Sequence, residues 1–182
     1  MWTRVFGAVA LLSSMVVLPA TAAETLTLDT EKSKINFLGK KSDGQHAGGF
    51  KSFTVEAEAD FDEPTNGKLV IEIATASLWS DNAKLTNHLK NPDFFDIRKY
   101  PKIVFTATEI DPQSETEAKI IGDLKMLDKT ASLAVPCRVT VTDDVVELVA
   151  KFKLDRTVWG MDYGTGNIEN DVEIDAKFVL KR

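Results

Sequence analysis

The 182-residue chain contains a single cysteine and two histidines. One thiol excludes an intrachain disulfide and any multi-thiolate zinc or iron–sulfur site within one chain. His46 and His88 lie far apart in sequence, and no further ligand stands beside either at a recognisable spacing. They are expected to be structural or head-group hydrogen-bonding residues, not metal ligands. Hydrolase, phosphate-binding and dithiol motifs (G-x-S-x-G, P-loop, H-E-x-x-H, C-x-x-C) are all missing. Positive charge is also short: 22 Lys and Arg stand against 28 Asp and Glu, for a net charge of -6. Such a balance repels phosphates on average, and nucleic acid is excluded as the expected partner. At 43% hydrophobic the chain is too apolar to be disordered. Its length suits one domain with a sizeable core.

The one long apolar run is at the start. Arg4 precedes an apolar stretch from Val5 to Leu18, broken only by Ser13 and Ser14, and Pro19 and Ala20-Thr21-Ala22 follow. This is the layout of a secretory signal peptide with an A-x-A cleavage site, too short for a membrane span. No cysteine follows that would take a lipid anchor. Residues 1–23 are therefore expected to be a cleaved leader, and residues 24–182 an exported domain, periplasmic or secreted. Loss of Arg4 with the leader makes the chain one charge more acidic.

Most of the remainder alternates with a period of two. Val55, Ala57, Ala59 and Phe61 share one strand face, with Glu56, Glu58 and Asp60 on the other. Val172, Ile174, Ala176, Phe178 and Leu180 alternate with charge in the same way. Runs rich in Val, Ile, Thr and Phe at 34–38, 68–76, 103–110, 119–127, 132–142 and 145–154 add further strands. Turn signals separate them: Glu63-Pro64-Thr65-Asn66-Gly67, Asp111-Pro112, Asp128-Lys129 and a nearly forced hairpin at Asp143-Asp144. The alternation implies an all-β, antiparallel fold of about eight strands, arranged as a barrel or a sandwich. Gly160, Gly164 and Gly166 in WGMDYGTGNI mark backbone that needs unusual angles, not a phosphate cradle. Cys137, alone in a strand run, is expected to be a small buried hydrophobe.

One segment breaks the pattern. Ala83, Leu85, Thr86 and Leu89 have helical spacing, which predicts a short inserted helix over 82–90 with Ser80 or Asp81 as its cap and Pro92 beyond its end. The adjacent Phe94 and Phe95 that follow are either a core plug or the lining of an apolar cavity's mouth. Seven phenylalanines on strand runs, at 37, 50, 53, 61, 105, 152 and 178, are able to face inward. An eight-stranded barrel has an interior just wide enough to be filled or to hold one slender ligand, and composition does not choose between these.

Two longer stretches carry a family resemblance. GQHAGGFKSF at 44–53 and DNAKLTNHLKNPDFFDIRKYPKIVF at 81–105 resemble the YceI-like family of exported polyisoprenoid-binding proteins. His88, Leu89, Asp93, Phe94, Phe95, Asp96, Pro101 and Phe105 match its central element in order and spacing. Ile121-Gly122-Asp123-Leu124 and Phe152 to Arg156 with Trp159-Gly160-Met161 match its later ones. Where members commonly carry Arg-Asp before the His-Leu pair, this chain has Leu85-Thr86-Asn87. The resemblance implies a lipocalin-like antiparallel barrel that binds, sequesters or transports an isoprenoid-tailed lipid, either a polyprenyl phosphate or a quinone-like molecule. It implies no catalysis and no protein-bound cofactor; a bound quinone would be cargo. The expected partners are this lipid and, transiently, a membrane or a membrane redox protein.

The ligand-binding residues expected from strand parity or family position are Phe37, His46, Phe50, Phe105, Phe152 and Trp159. From the helix and the loop after it come Leu85, His88, Leu89, Phe94 and Phe95. A secreted enzyme acting on a hydrophobic substrate and a filled-core structural or stress-response domain stand as the alternatives. The leader is directly testable: the intact mass of the exported protein should correspond to a chain starting at Ala23 or Glu24, and retention of Met1 would refute the cleavage.

Overall fold

The computed structural model describes residues 23–182. The expected leader, except Ala23, lies outside the described residues. The described chain contains eleven strands, β1 (Glu24–Leu28), β2 (Lys34–Lys41), β3 (Gly44–Phe50), β4 (Phe53–Ala59), β5 (Lys68–Ala74), β6 (Leu78–Ser80), β7 (Lys102–Pro112), β8 (Glu117–Met126), β9 (Lys129–Val141), β10 (Val145–Asp155) and β11 (Asp171–Lys181), with one helix, α1 (Ala83–Leu89).

Eight strands close a barrel in the order β1-β4-β5-β7-β8-β9-β10-β11, and β11 returns to β1 through Thr27↔Lys181 and Leu28↔Leu180. Every pairing between these strands is antiparallel. Closure resolves the choice between barrel and sandwich, and it removes the unpaired edges that an open sheet would expose. β11 is long enough to serve three neighbours. It pairs with β10 along its whole length, with β1 near its C-terminal end, and with β2 over residues 173–177. The β2–β3 hairpin and the short β6 thus extend the wall beyond the barrel proper.

Polar–apolar alternation produces this arrangement as expected, but three strands had no clear signal, the three-residue β6 among them. β1 is only five residues long, and β3 is GQHAGGF, poor in strand-forming residues. β3 is held by full pairing with β2, from Ile35↔Phe50 to Lys41↔Gly44, and by Gly48 and Gly49 pairing with β6. Asp111-Pro112 is not a turn. β7 runs on to Pro112 and the reversal falls at 113–116, closed by Gln113 N–H to the Glu117 carbonyl at 2.8 Å. Proline costs little there because it occupies the last rung of the ladder. The Asp143-Asp144 hairpin forms, with Thr142 N–H donating to the Val145 carbonyl at 2.9 Å.

α1 lies within the expected span, but its cap is Asn82, whose side chain accepts from Leu85 N–H at 3.0 Å. Ser80 and Asp81 are otherwise engaged. Ser80 Oγ meets the Asn82 carbonyl and Thr86 Oγ1, and Asp81 accepts from Ala47 N–H and pairs with His46.

The core divides along the barrel axis. At the end carrying β1 and the chain's C-terminus, Leu26, Val146 and Leu180 are packed and buried, and Arg182 stacks over Phe61 at 4.1 Å while pairing with Glu24. At the other end the wall parts: β9 pairs with β10 only from Val141↔Val146 to Cys137↔Ala150, and from Pro136 to Lys129 it pairs with β8 alone. Beyond that parting the chain leaves β10, turns through Arg156–Trp159 and anchors Trp159 against β8, where its indole N–H donates to the Leu124 carbonyl at 2.7 Å.

The glycine at 48 is a packing requirement. A Cβ there would meet the Phe37 ring and stand 2.6 Å from the Trp79 carbonyl. Gly48→Ala should therefore lower folding stability by about 2 kcal/mol, the usual range for overpacking, as read from urea denaturation; an unchanged midpoint would show that the β2–β3–β6 extension gives way freely.

Candidate functional site

The barrel's open half encloses a cavity of about 270 Å³. Successive rungs of the β10–β11 ladder describe its depth. Phe152↔Ile174, Ala150↔Ala176 and Leu148↔Phe178 all line it, as does Leu154↔Val172 nearer the mouth. The next rung down, Val146↔Leu180, is buried and does not. The cavity is therefore a blind tube whose floor is packed core. Ile71, Ile103, Phe105, Ile120 and Leu124 form its opposite wall, from β5, β7 and β8.

Of the eleven residues expected at the site, nine line this tube. Phe37, His46 and Phe50 come from the β2–β3 hairpin, Phe105 from β7 and Phe152 from β10; Leu85 and Leu89 come from α1, and Phe94 and Phe95 from the loop beyond it. Phe37 and Phe50 lie 6.1 Å apart between ring centres, and Phe50 meets Phe95 edge-on at 5.6 Å, so an aromatic row crosses from wall to cap. The loop aims Phe94 and Phe95 inward because it winds back on the helix. Phe94 N–H bonds the Asn91 carbonyl, Phe95 N–H the Leu89 carbonyl and Ile97 N–H the Lys90 carbonyl. Asp96 takes a left-handed φ of 39°, which aspartate tolerates better than most residues, to complete that turn.

Two of the eleven stand outside the lining. Trp159 is 2% exposed and spent on the β8 carbonyl, so it seals the barrel end without touching the tube. His88 faces away from the cavity on α1. Its Nε2 pairs with Asp93 at 3.0 Å, and its ring lies edge-on to Phe94 at 5.1 Å and Tyr163 at 4.9 Å. One position before Leu89, it stands about 100° round the helix from that residue. Phe53 and Phe61 also miss the tube: Phe53 packs on Phe178 at 5.8 Å and Phe61 lies beneath Arg182.

Sequence reasoning passed over most of the aliphatic lining and the charges. Alternate positions of β10 from 148 to 154, and Arg156 just beyond its end, all line the tube, a signal present in the strand parity. The charged or histidine lining residues are Lys40, Lys41, His46 and Arg156, all at the mouth. Three have carboxylate partners: Lys40 with Glu173 at 2.6 Å, Lys41 with Asp43 at 2.9 Å and His46 Nδ1 with Asp81 at 2.9 Å. The Lys40 hydrogen bond holds Glu173 below the usual carboxylate range and raises Lys40 in turn. Asp81 is lowered first by Ala47 N–H and then by His46.

Arg156 is different. It is 3% exposed, no carboxylate among the described residues lies within ion-pair distance, and its guanidinium donates to the carbonyls of Met161, Ile168 and Glu169. Burial lowers its pKa, but an arginine remains charged. These three carbonyls belong to one strap, residues 160–169, that crosses the tube's mouth and contributes Met161 and Ile168 to its lining. Gly160, Gly164 and Gly166 take left-handed φ of 83°, 69° and 95°, the unusual angles expected for this stretch. On one side Ser42 N–H bonds the Asn167 carbonyl and Glu169 N–H the Lys40 carbonyl; on the other Tyr163 rests on His88 and Phe94.

Cys137 lines the tube near its floor, and burial pushes its thiol up to about 11, which leaves it unreactive at neutral pH. Among the described residues no group of three or more His, Cys, Asp or Glu side chains is placed to hold a metal ion.

An eight-stranded antiparallel barrel with a blind apolar tube, capped by a helix and a strap, is a lipocalin-like architecture. Comparison narrows it: the YceI-like domain profile matches residues 26–180, and the chain belongs to that family. A UPF0312 protein of Pseudomonas putida strain GB-1 is 37% identical over 79 residues, 43% of this chain and 41% of that protein. Another, from Pseudomonas savastanoi pv. phaseolicola, is 31% identical over 88 residues, 48% of this chain and 46% of its own. The alignments thus span less than half the length of these relatives. Among solved structures, Burkholderia cenocepacia BcnA superposes with a TM-score of 0.78 at 22% identity, over 84% of this chain and 98% of its own. A polyisoprenoid binding domain from Saccharophagus degradans superposes with a TM-score of 0.69 at 11% identity, over 86% and 97%. At these identities the structural likeness establishes the fold.

Arg156→Leu would leave three strap carbonyls without their donor. Buried unsatisfied groups cost about 1–3 kcal/mol each, so the variant should lose about 3 kcal/mol or more in urea denaturation and become susceptible to proteolytic nicking within 160–169. Wild-type stability and protease resistance would show that the strap does not depend on the guanidinium.

Proposed function

We propose that the protein binds the tail of an isoprenoid lipid, a polyprenyl phosphate or a quinone-like molecule, and sequesters or carries it outside the cytoplasm. One observation carries the reading: the tube's charged and histidine groups all gather at its mouth, while every rung below is apolar. A ligand suited to it has a slender apolar tail and a polar end. Membership of the YceI-like family, and a polyisoprenoid binding domain among the structures sharing the fold, point the same way. The cavity falls just below the ~300–1,000 Å³ typical of sites that bury a whole small ligand. It accommodates tail, not tail plus head.

Energetics favour occupancy. An unfilled apolar cavity forgoes contacts worth on the order of 24 cal/mol per Å³, or roughly 6 kcal/mol for about 270 Å³. A tail that fills it recovers part of this and also leaves water. We read the protein as a binding module. The mouth carboxylates Glu173, Asp43 and Asp81 are engaged in ion pairs, and the one thiol is buried and protonated. A quinone in the tube would be carried, not turned over. Loading and release would then bring the mouth transiently to a membrane or to a membrane redox protein.

Native mass spectrometry of the exported protein, followed by lipid extraction, should reveal a co-purifying isoprenoid, and stripped protein should rebind it. Leu89→Ala or Phe95→Ala should weaken that binding by about 1–3 kcal/mol, the usual worth of one large apolar side chain. If these variants melt earlier yet bind with unchanged affinity, the two residues are core plug and the tail lies elsewhere. Turnover of a lipid by protein free of bound ligand would favour an enzyme.

A further inference from the structure

The tube is blind and its polar groups stand only at the open end, so an amphipathic ligand has one way in: tail first. The β10–β11 ladder converts depth into length. Each rung is two residues further along a strand, an advance of about 6.7 Å, or about 5 Å along the axis of a barrel whose strands tilt by the usual ~40°. An extended chain gains about 1.2 Å per backbone bond, as a polypeptide does over its three bonds per residue. The four chain bonds of an isoprene unit therefore span about 5 Å, the height of one rung. From the floor rung, Leu148↔Phe178, to the mouth rung, Leu154↔Val172, lie three such steps.

We propose that the cavity is a length gauge: the terminal isoprene unit stops on the buried Val146–Leu180 rung, about three units are enclosed, and the head with any further units remains outside. The inference rests on the isoprenoid reading above and adds to it a stop, a direction and a capacity. Two small residues facing each other at one rung, Ala150 and Ala176, keep the lower tube passable. A larger side chain at either position would install a higher floor.

The test is a series of linear prenols with one hydroxyl head and one to five isoprene units, titrated into the delipidated protein. Affinity should rise at least about tenfold for each of the first three units, since each buries several methylene equivalents, and change less than about threefold beyond. Ala150→Leu should bring saturation forward by at least one unit. Because it fills a void, the variant should melt no lower than wild type. Affinity that climbs evenly through five units, or a saturation point that Ala150→Leu leaves in place, overturns the gauge.

A three-unit analogue with a photoreactive diazirine at its tail terminus gives a check that needs no variant. It should label the stretch around Leu148 or Phe178; labelling at Lys40, Lys41 or His46 overturns the tail-first orientation. Should no prenol bind, straight-chain alkanols separate the two ideas. Saturation at the matching chain length keeps the gauge and refutes the isoprenoid reading, and absence of binding refutes both.

Discussion

Everything distinctive in this molecule depends on one uninterrupted pairing, the eleven residue pairs between β10 and β11 from Val145↔Lys181 to Asp155↔Asp171. Successive strand side chains point to opposite faces, so an unbroken register commits every second residue of both strands to the interior over the full height of the barrel. The packed floor, the apolar tube and the buried cation at the mouth are then consecutive members of one series: 146, 148, 150, 152, 154, 156. A slip of one residue would turn Lys151 and Lys153 inward and expose the lining. The ion pair between Lys177 and Glu147, at 2.7 Å on the outer face, is aligned with the same register.

The tube exists because its walls and its floor obey different rules. Along the floor, Leu26, Val146 and Leu180 are buried in the core. Above it, Ala150, Ala176 and Cys137 stand at one level of the wall where larger residues would have met. The cap is built with equal economy. A seven-residue helix capped by Asn82, a loop wound back on it, and a strap clamped by Arg156 meet above the void. The cation is tolerated because three carbonyls that would otherwise lack partners surround it. The same argument explains why the strap's two sides differ: hydrogen bonds fasten it to the β2–β3 hairpin, whereas only ring contacts of the half-exposed Tyr163 hold it to α1.

Much of this was legible in the sequence where the signal is local. Polar–apolar alternation announced the long strands, Asp143-Asp144 the hairpin, the three glycines a stretch of unusual backbone angles, and the spacing of Leu85 and Leu89 the helix. What was not legible depends on partners distant in sequence. β3 reads as loop because its glycines carry no strand preference, yet Gly48 is there to admit the Phe37 ring and the Trp79 carbonyl. Helical spacing could not assign the cap to Asn82, because Asp81 is drawn off by His46 and Ala47 from another hairpin. Trp159 looked like lining since its alternative, a single carbonyl on β8, is invisible without the fold. Aliphatic lining residues went unnamed because Leu and Ile in a strand look the same beside a void as inside a core.

The seam between β1 and β11 carries a consequence for how the chain reaches this state. Thr27 and Leu28 pair with Lys181 and Leu180, nearly the whole described chain away, so these pairs join its two ends. Contacts of such long range make folding slow, on the millisecond-to-second scale of all-β domains. Until that seam closes, the lining is an open, curved sheet with its apolar face in water and two free edges, the kind of surface that recruits other strands. A lipid tail arriving in that interval would shield the apolar face and template the curvature together. On the isoprenoid reading proposed above, the ligand would then act first as a folding aid.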